Sequence, residues 1–287
     1  MLPLEWQPQI SFPLILGTNV SGVITAVADD VRGFSVGDAV YSMIRFPNGA
    51  AGRSQAYAEY VSVPVSDIAL KPSGIDHAHV AASPMSLLTA WQFLIDVGHD
   101  VLTPLQRYPH VPVPLAGRTV LVKGASGGVG HFAVQTTKLK RAHVIAVASG
   151  KHESALRGLG AEDFIDDTRT APEDIVRDVD LVVDAVGGPA TGRFLHTIKR
   201  GGALFPVFTL GFTGIEGAEQ SGVTVSSVQV RSNGTQLAEF AKLLSAGDIR
   251  VLVDSTYPLA EARRARERAA LGHVQGKVVL TAKHEYP

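Results

Sequence analysis

The stretch Val120-Leu121-Val122-Lys123-Gly124-Ala125-Ser126-Gly127-Gly128-Val129-Gly130 constrains this chain more than any other. A short apolar run enters four glycines in seven residues and leaves in a helical pattern. A strand that must turn tightly into a helix needs such a sequence. Gly127 and Gly128 lack the Cβ atoms that would hold a ligand away from the backbone. Unpaired N–H groups at the new helix's start, at the positive end of its dipole, suit a pyrophosphate. In the G-x-G-x-x-G register the positions are Ala125, Gly127 and Gly130, so alanine replaces the first glycine. A second strand, His143 to Ala148, closes a βαβ unit around the loop, the context that points to a bound dinucleotide. Ala125, Ser126, Gly127, Gly128 and Val129 are expected to lie against it.

The units that follow repeat this plan. A short helix near 151–158 stops at Gly160, Phe164-Ile165 makes a brief strand, and Pro172 opens a helical turn. Asp180 to Val186 is a near-continuous apolar strand ending in Gly187-Gly188. Pro189 to Lys199 reads as a helix, 203–208 as a strand, and Thr224 to Val230 as the last strong strand of the series. Alternating strands and helices imply an α/β fold with a parallel sheet covered on both faces. Ligand then sits at the carboxyl ends of the strands. Those ends supply further candidates: Ser149, Val186, Gly187, Phe208, Thr209 and Val230.

The opening third is β-rich, with strands expected at Val20 to Val27, Ala39 to Met43 and Ala56 to Val63 and a loop at Asn48 to Ser54. Leu87, Leu88, Trp91, Leu94 and Ile95 lie at helical spacing and imply a buried helix. Pro104, Pro109, Pro112 and Pro114 rule out regular structure in the long connection from Gly98 to Gly117. Near the end, Thr235 to Ala246 is an amphipathic helix with Asn233 as cap and Gly247 as stop. Glu261 to Leu271 is a second helix whose arginines form either a solvated face or a docking surface. Gly276 to Leu280 is a closing strand.

Composition narrows the function. The 287 residues carry a formal net charge of −1, which gives no electrostatic case for nucleic acid or an acidic membrane. There are no cysteines, so thiolate zinc sites and disulfides are excluded, and a cytoplasmic location is expected. The apolar region His79 to Val97 is interrupted by Pro84, Thr89 and Gln92 and reads as a buried helix, not a membrane span. No Ser/His/Asp set or paired acids point to hydrolysis.

The chain resembles the medium-chain dehydrogenase/reductase superfamily, in its zinc-free quinone oxidoreductase branch. The matching pieces run in family order: Pro13-Leu14-Ile15-Leu16-Gly17, Ser21-Gly22-Val23, Gly37-Asp38-Ala39-Val40, Ala58-Glu59-Tyr60, Thr89-Ala90, the Gly124–Gly130 loop, Leu159-Gly160-Ala161, Asp184 to Gly188, Gly201-Gly202 and Gly276-Lys277. The resemblance implies a GroES-like β-rich domain (1–86 and 233–287) and a Rossmann domain (87–232), with the active site between them and a homodimer as the assembly. Zinc-dependent members carry Gly-His-Glu where this chain reads Gly17-Thr18-Asn19. Members also carry roughly fifty residues ahead of the first motif, an estimate from the size of such barrels. By that measure the start is missing here, or the chain is a reduced variant.

An NAD site places a carboxylate at the end of the second strand, ~20 residues past the loop. Here that strand ends Val147-Ala148-Ser149-Gly150-Lys151-His152, with no acid. Ser149 and Lys151 favour NADPH, although Lys151 also fits a solvated helix start. Many family members have a tyrosine near Asp167; the acid would repel a phosphate if it pointed inward. The resemblance puts Thr89 at the nicotinamide, although a mid-helix threonine also bonds its own backbone. Lys277 joins the cofactor contacts by the Gly-Lys match. Tyr41 and Tyr57 are candidate proton donors or packed strand residues, and His131 reads as helix surface. The expected reaction is zinc-independent hydride transfer from NADPH to a small quinone or α,β-unsaturated carbonyl. The alternatives are an enoyl-thioester reductase and a low-turnover NADPH-binding sensor or structural protein.

Overall fold

The computed structural model describes residues 15–44, 56–95, 106 and 108–282. These divide into two compact units: one holds the described residues up to Leu88 and from Arg231 onward, the other runs from Thr89 to Val230. In chain order the first unit opens with β1 (Asn19–Val23), β2 (Ala39–Met43), β3 (Ile68–Leu70), α1 (His77–Ala81) and α2 (Pro84–Leu94). The division falls after Leu88, within α2. Asp76 caps α1 by accepting from the His79 N–H at 2.8 Å, and Pro84 sits at the first position of α2, where its missing N–H costs nothing.

The second unit continues with β4 (Thr119–Lys123), α3 (Gly130–Leu139), β5 (His143–Ala148), α4 (Glu153–Gly158), β6 (Asp163–Asp166), α5 (Pro172–Ile175), β7 (Val179–Asp184), β8 (Ile198–Pro206), α6 (Ile215–Ser221) and β9 (Thr224–Val225). These strands form one parallel sheet in the order β6-β5-β4-β7-β8-β9. The order reverses beside β4, which makes the carboxyl end of β4 the switch point where such folds bind ligands. All six residues of β7 are buried, as expected of a strand covered on both faces. Leu121, Val182 and Leu204 from neighbouring strands pack with Phe194, Phe212 and Val223, each contributing about 1.5–3 kcal/mol by burial.

The chain returns to the first unit with α7 (Gly234–Ala246), β10 (Val253–Pro258), α8 (Ala262–Ala270) and β11 (Lys277–Thr281). Asn233 caps α7 through the Gln236 N–H at 3.0 Å, and Gly247 ends it at φ +78°. This unit holds an antiparallel sheet β1-β2-β3 and a parallel pair β10-β11.

Several sequence expectations need correction. Residues 56–63 form no strand among the described residues, where the Ala56 and Tyr57 N–H groups donate to the Gly17 and Leu16 carbonyls. β9 ends at Val225, with the Ser226 N–H still donating to the Leu204 carbonyl at 3.0 Å, and the hydroxyls beyond it serve another segment. Ser226 Oγ accepts from the Val111 N–H at 2.9 Å, and Ser227 Oγ accepts from the Tyr108 N–H and donates to the Tyr108 carbonyl. Residues 189–197 form a 3₁₀ stretch rather than an α-helix. β8 begins at Ile198 and ends at Pro206, so Phe208 lies beyond it. The Asn48–Ser54 loop and part of the Gly98–Gly117 connection lie outside the described residues, and the described part of the connection holds no regular element. Sequence reading missed β3, α6 and β10.

Candidate functional site

The glycine loop fits because Gly124 and Gly130 remove atoms that have no room. Gly124 turns at φ +71°, and a Cβ on it would stand 2.8 Å from Val186 Cγ2. The loops after β4 and β7 therefore touch. A Cβ on Gly130 would lie 2.8 Å from Ala125 Cα and closer still to the Gly124 carbonyl oxygen, so α3 starts hard against the end of β4. The Ala125 N–H donates to the Val147 carbonyl at 3.0 Å and the Gly127 N–H to that of Gly124 at 3.0 Å. Ala125 and Ser126 are buried, while Gly127, Gly128 and Val129 are half-buried at the loop's open side. His131 is not surface: it is 0% exposed, with Nδ1 donating to the Gly127 carbonyl at 2.8 Å. Every residue of α3 from Gly130 to Thr137 is buried, so this helix has no exposed face over its first two turns.

The second loop is organised by Asp184, which the sequence reading passed over. Its Oδ1 accepts from the N–H groups of Val186 (3.1 Å) and Gly187 (2.9 Å), and its Oδ2 from Thr191 Oγ1 (2.6 Å). A buried carboxylate with three donors fixes the turn firmly. The signal was an acid directly ahead of a double glycine. Gly187 and Gly188 take positive φ, and the Gly188 N–H donates to the Phe208 carbonyl at 2.9 Å. A Cβ on Gly187 would press into Phe208, whose own Cβ would be 2.8 Å away. Val186 (59%) and Phe208 (53%) are exposed apolar side chains on loops that follow β7 and β8, and Thr209 beside them is half-buried.

At the end of β5, Ser149 Oγ is a buried hydroxyl with no hydrogen-bond partner among the described residues. Such a group is expected to be satisfied by something further. Lys151 is exposed in the 3₁₀ turn Gly150–His152 and makes no ion pair among the described residues. A Cβ on Gly150 would strike the Asp166 carboxylate. Asp166 Oδ1 accepts from Thr168 N–H (3.0 Å) and Thr168 Oγ1 (2.7 Å), and these bonds, led by the Thr168 hydroxyl, hold its carboxyl below the usual range. Asp167 pairs with Lys123.

The other candidates are placed as follows. Thr89 is buried in α2, and Val230 is buried five residues past the end of β9. Tyr41 is corrected to a core residue. It is fully buried, its hydroxyl donates to the Leu237 carbonyl at 2.5 Å, and burial pushes its ionisation well above the ordinary phenol value. A phenol proton committed this way is held in packing. Tyr57 is exposed at its edge, with its ring over Gly17. Lys277 opens β11, and burial lowers its ammonium pKa. A cavity of about 630 Å³ lies wholly within the first unit, lined by Val20, Val23, Tyr60, His77 and Leu280 among others. None of its lining residues belongs to the glycine loop.

These features fit a dinucleotide phosphate chain: a cradle with no room for Cβ atoms, an unsatisfied hydroxyl at the β5 tip, and exposed apolar side chains on the adjoining loops. Residues 159–280 match the model described as Zinc-binding dehydrogenase, and residues 3–73 match the Alcohol dehydrogenase GroES-like domain. A mitochondrial NAD(P)H oxidoreductase of Mus musculus is 32% identical over 294 residues, covering 94% of this chain and 70% of the relative. A chloroplastic quinone-oxidoreductase homolog of Spinacia oleracea is 26% identical, covering 97% and 85%. The structure of the quinone oxidoreductase from Coxiella burnetii superposes with a TM-score of 0.80 at 30% identity, covering 94% of this chain and 80% of its own.

Proposed function

The chain belongs to the medium-chain dehydrogenase/reductase superfamily, is quinone oxidoreductase-like and is an oxidoreductase, and from that premise we propose that it carries hydride from NADPH to a quinone or an α,β-unsaturated carbonyl without zinc. The observation that carries the cofactor reading is the β5 tip. Its buried Ser149 hydroxyl lacks a partner, Lys151 is unpaired among the described residues, and the strand itself ends without a carboxylate. A ribose 2′-phosphate supplies acceptors for both groups. When bound, NADPH supplies the hydride from C4 of its nicotinamide.

The chain's own residues have the remaining tasks. The Ala125 and Gly127 N–H groups brace the loop against the Val147 and Gly124 carbonyls, and the remaining loop N–H groups hold the pyrophosphate at the start of α3. Asp184 keeps the Val186–Gly188 turn open beside that loop, and Val186 and Phe208 offer apolar surface to the nicotinamide. Thr89 and Lys277 are assigned to the cofactor on the resemblance, and Thr209 and Val230 on their place at the strand ends. Tyr57 remains the candidate proton donor, and Tyr41 is set aside. Zinc independence rests on the absence of cysteine from all 287 residues and on Gly17-Thr18-Asn19. Quinones and enones delocalise incoming charge onto oxygen, so orientation and a dry site do most of the work. Among the described residues no helix is long and apolar enough to cross a membrane. The Mus musculus and Spinacia oleracea relatives are mitochondrial and chloroplastic, which leaves the cytoplasmic expectation without support from them.

Fluorescence titration with NADPH and NADH, followed by NADPH oxidation across a panel of quinones and enones, tests the reading. The expected result is tighter NADPH binding and turnover with at least one acceptor. Equal or tighter NADH binding overturns the roles of Ser149 and Lys151. Tight NADPH binding with no turnover on any acceptor favours a sensor.

A further inference from the structure

We propose that the ion pair between Lys123 and Asp167 sets the preference for NADPH, by cancelling across the tip of β5 a carboxylate that would otherwise repel the 2′-phosphate. This rests on the NADPH reading above. Lys123 is the last residue of β4, and Asp167 is the first residue beyond β6. The two strands are not neighbours, since β5 lies between them. The pair must therefore bridge over the carboxyl end of β5. Its placement there is fixed twice: Lys123 stands in register with Val147, and the Asp167 N–H donates to the Ala148 carbonyl at 3.2 Å. The next residue, Ser149, carries the unsatisfied hydroxyl.

Two acids stand at this tip, and each is tied differently. Asp166 is held within its own turn by Thr168 and faces Arg169 at 3.4 Å. For Asp167 the charge partner is Lys123. Both side chains of that pair are largely shielded, at 12% and 20% exposure, so solvent screens the pair weakly. With the pair formed, Lys151 is left as the uncompensated cation of the tip. With Lys123 removed, Asp167 becomes an unpaired carboxylate facing the same region. That charge discriminates against a phosphate and leaves a ribose hydroxyl unaffected, which is specificity by repulsion.

The test is a double-mutant cycle read as dissociation constants for NADPH and NADH on the full chain. Wild type is expected to bind NADPH the more tightly. Lys123→Met should weaken NADPH about tenfold, or 1.4 kcal/mol, with NADH changed less than about threefold. Lys123→Met with Asp167→Asn should recover the wild-type NADPH constant, and Asp167→Asn alone should bind NADPH at least as tightly as wild type. If Lys123→Met does not fold, Lys123→Gln carries the same expectation, because it can still hydrogen-bond the carboxylate but leaves its charge. Parallel loss of both nucleotides, or no rescue in the double variant, overturns the role of the pair while the NADPH reading stands. Wild type that prefers NADH, or binds neither nucleotide, overturns both.

Discussion

From Thr89 to Val230, the central strand β7 is buried along its whole length and its neighbours supply the core around it. In the other unit Val23 and Leu70, at the ends of β1 and β3, are about half exposed, and Tyr60 and Val36 more so. Both units contain strands rich in β-branched residues, so composition does not explain the contrast. Topology does. A parallel sheet with crossover helices covers its own faces, whereas three short antiparallel strands and a separate parallel pair leave much of theirs open. Two glycines mark the local extremes. Gly130, at the start of α3, is walled in by backbone, while a Cβ on Gly22 in β1 would meet nothing within 4 Å.

The sharpest way to break this comparison is to add the same side chain at Gly130 and at Gly22. Gly130→Val drives a Cβ into Gly124 and Ala125 backbone, which cannot rotate away. A loss of about 3 kcal/mol or more is expected in urea melts, with nucleotide binding abolished. Gly22→Val should change stability by less than about 0.5 kcal/mol. Similar costs at the two sites would mean that Gly130 is no more confined than Gly22.

Tyr41→Phe asks whether the first unit has a core of its own. The Leu237 carbonyl would lose its buried donor, at a cost of about 1–3 kcal/mol. Turnover per folded molecule should not change, whereas Tyr57→Phe should lower turnover with little effect on stability. A fall in turnover with Tyr41→Phe would return that residue to the chemistry.

A smaller effect is expected from acid. Burial pushes the Asp180 carboxyl upward, but Lys199, the Thr119 N–H and Arg118 outweigh it and hold the folded pKa below the ordinary value. The folded state then binds fewer protons than the unfolded chain, so the stabilisation is complete at neutral pH. It is lost as pH falls below about 4 and through the lower folded value. Asp180→Asn should flatten that acid limb of a urea-midpoint profile. Asp254, held low by the Gln275 N–H, Ser255 and Arg268 against its own burial, is the matching group of the first unit. Asp254→Asn should flatten the limb by a similar amount, and an effect confined to one variant would show that the units unfold separately in acid.

What could be read from the sequence followed the same division. Glycines and apolar runs mark β4, β5, β7 and the loop, because a strand buried on both faces must be continuously apolar and a tight turn must lack Cβ atoms. The half-open strands carry a weaker pattern. Residues 56–63 alternate like a strand yet form none among the described residues, and β3 and β10 pair without a distinctive run. β9 looked longer because Val228 and Val230 are apolar, but the hydroxyls of Ser226 and Ser227 are spent on the connection at 108–111. His131 looked polar and therefore exposed, and its ring is buried through a bond to Gly127. The Lys123–Asp167 pair spans 44 positions, a separation that no local pattern reveals. The sequence reading could name Asp167 as a threat to a phosphate, while its neutralising partner appears only once β4 and β6 flank β5.

The central claim, hydride transfer from NADPH at this site, is tested most directly with NADPH deuterated at C4 and an enone acceptor. Deuterium is expected on the carbon β to the carbonyl, from one face of the nicotinamide, with the α proton drawn from solvent. Saturated product without deuterium at that carbon from either face, or no product, would contradict it.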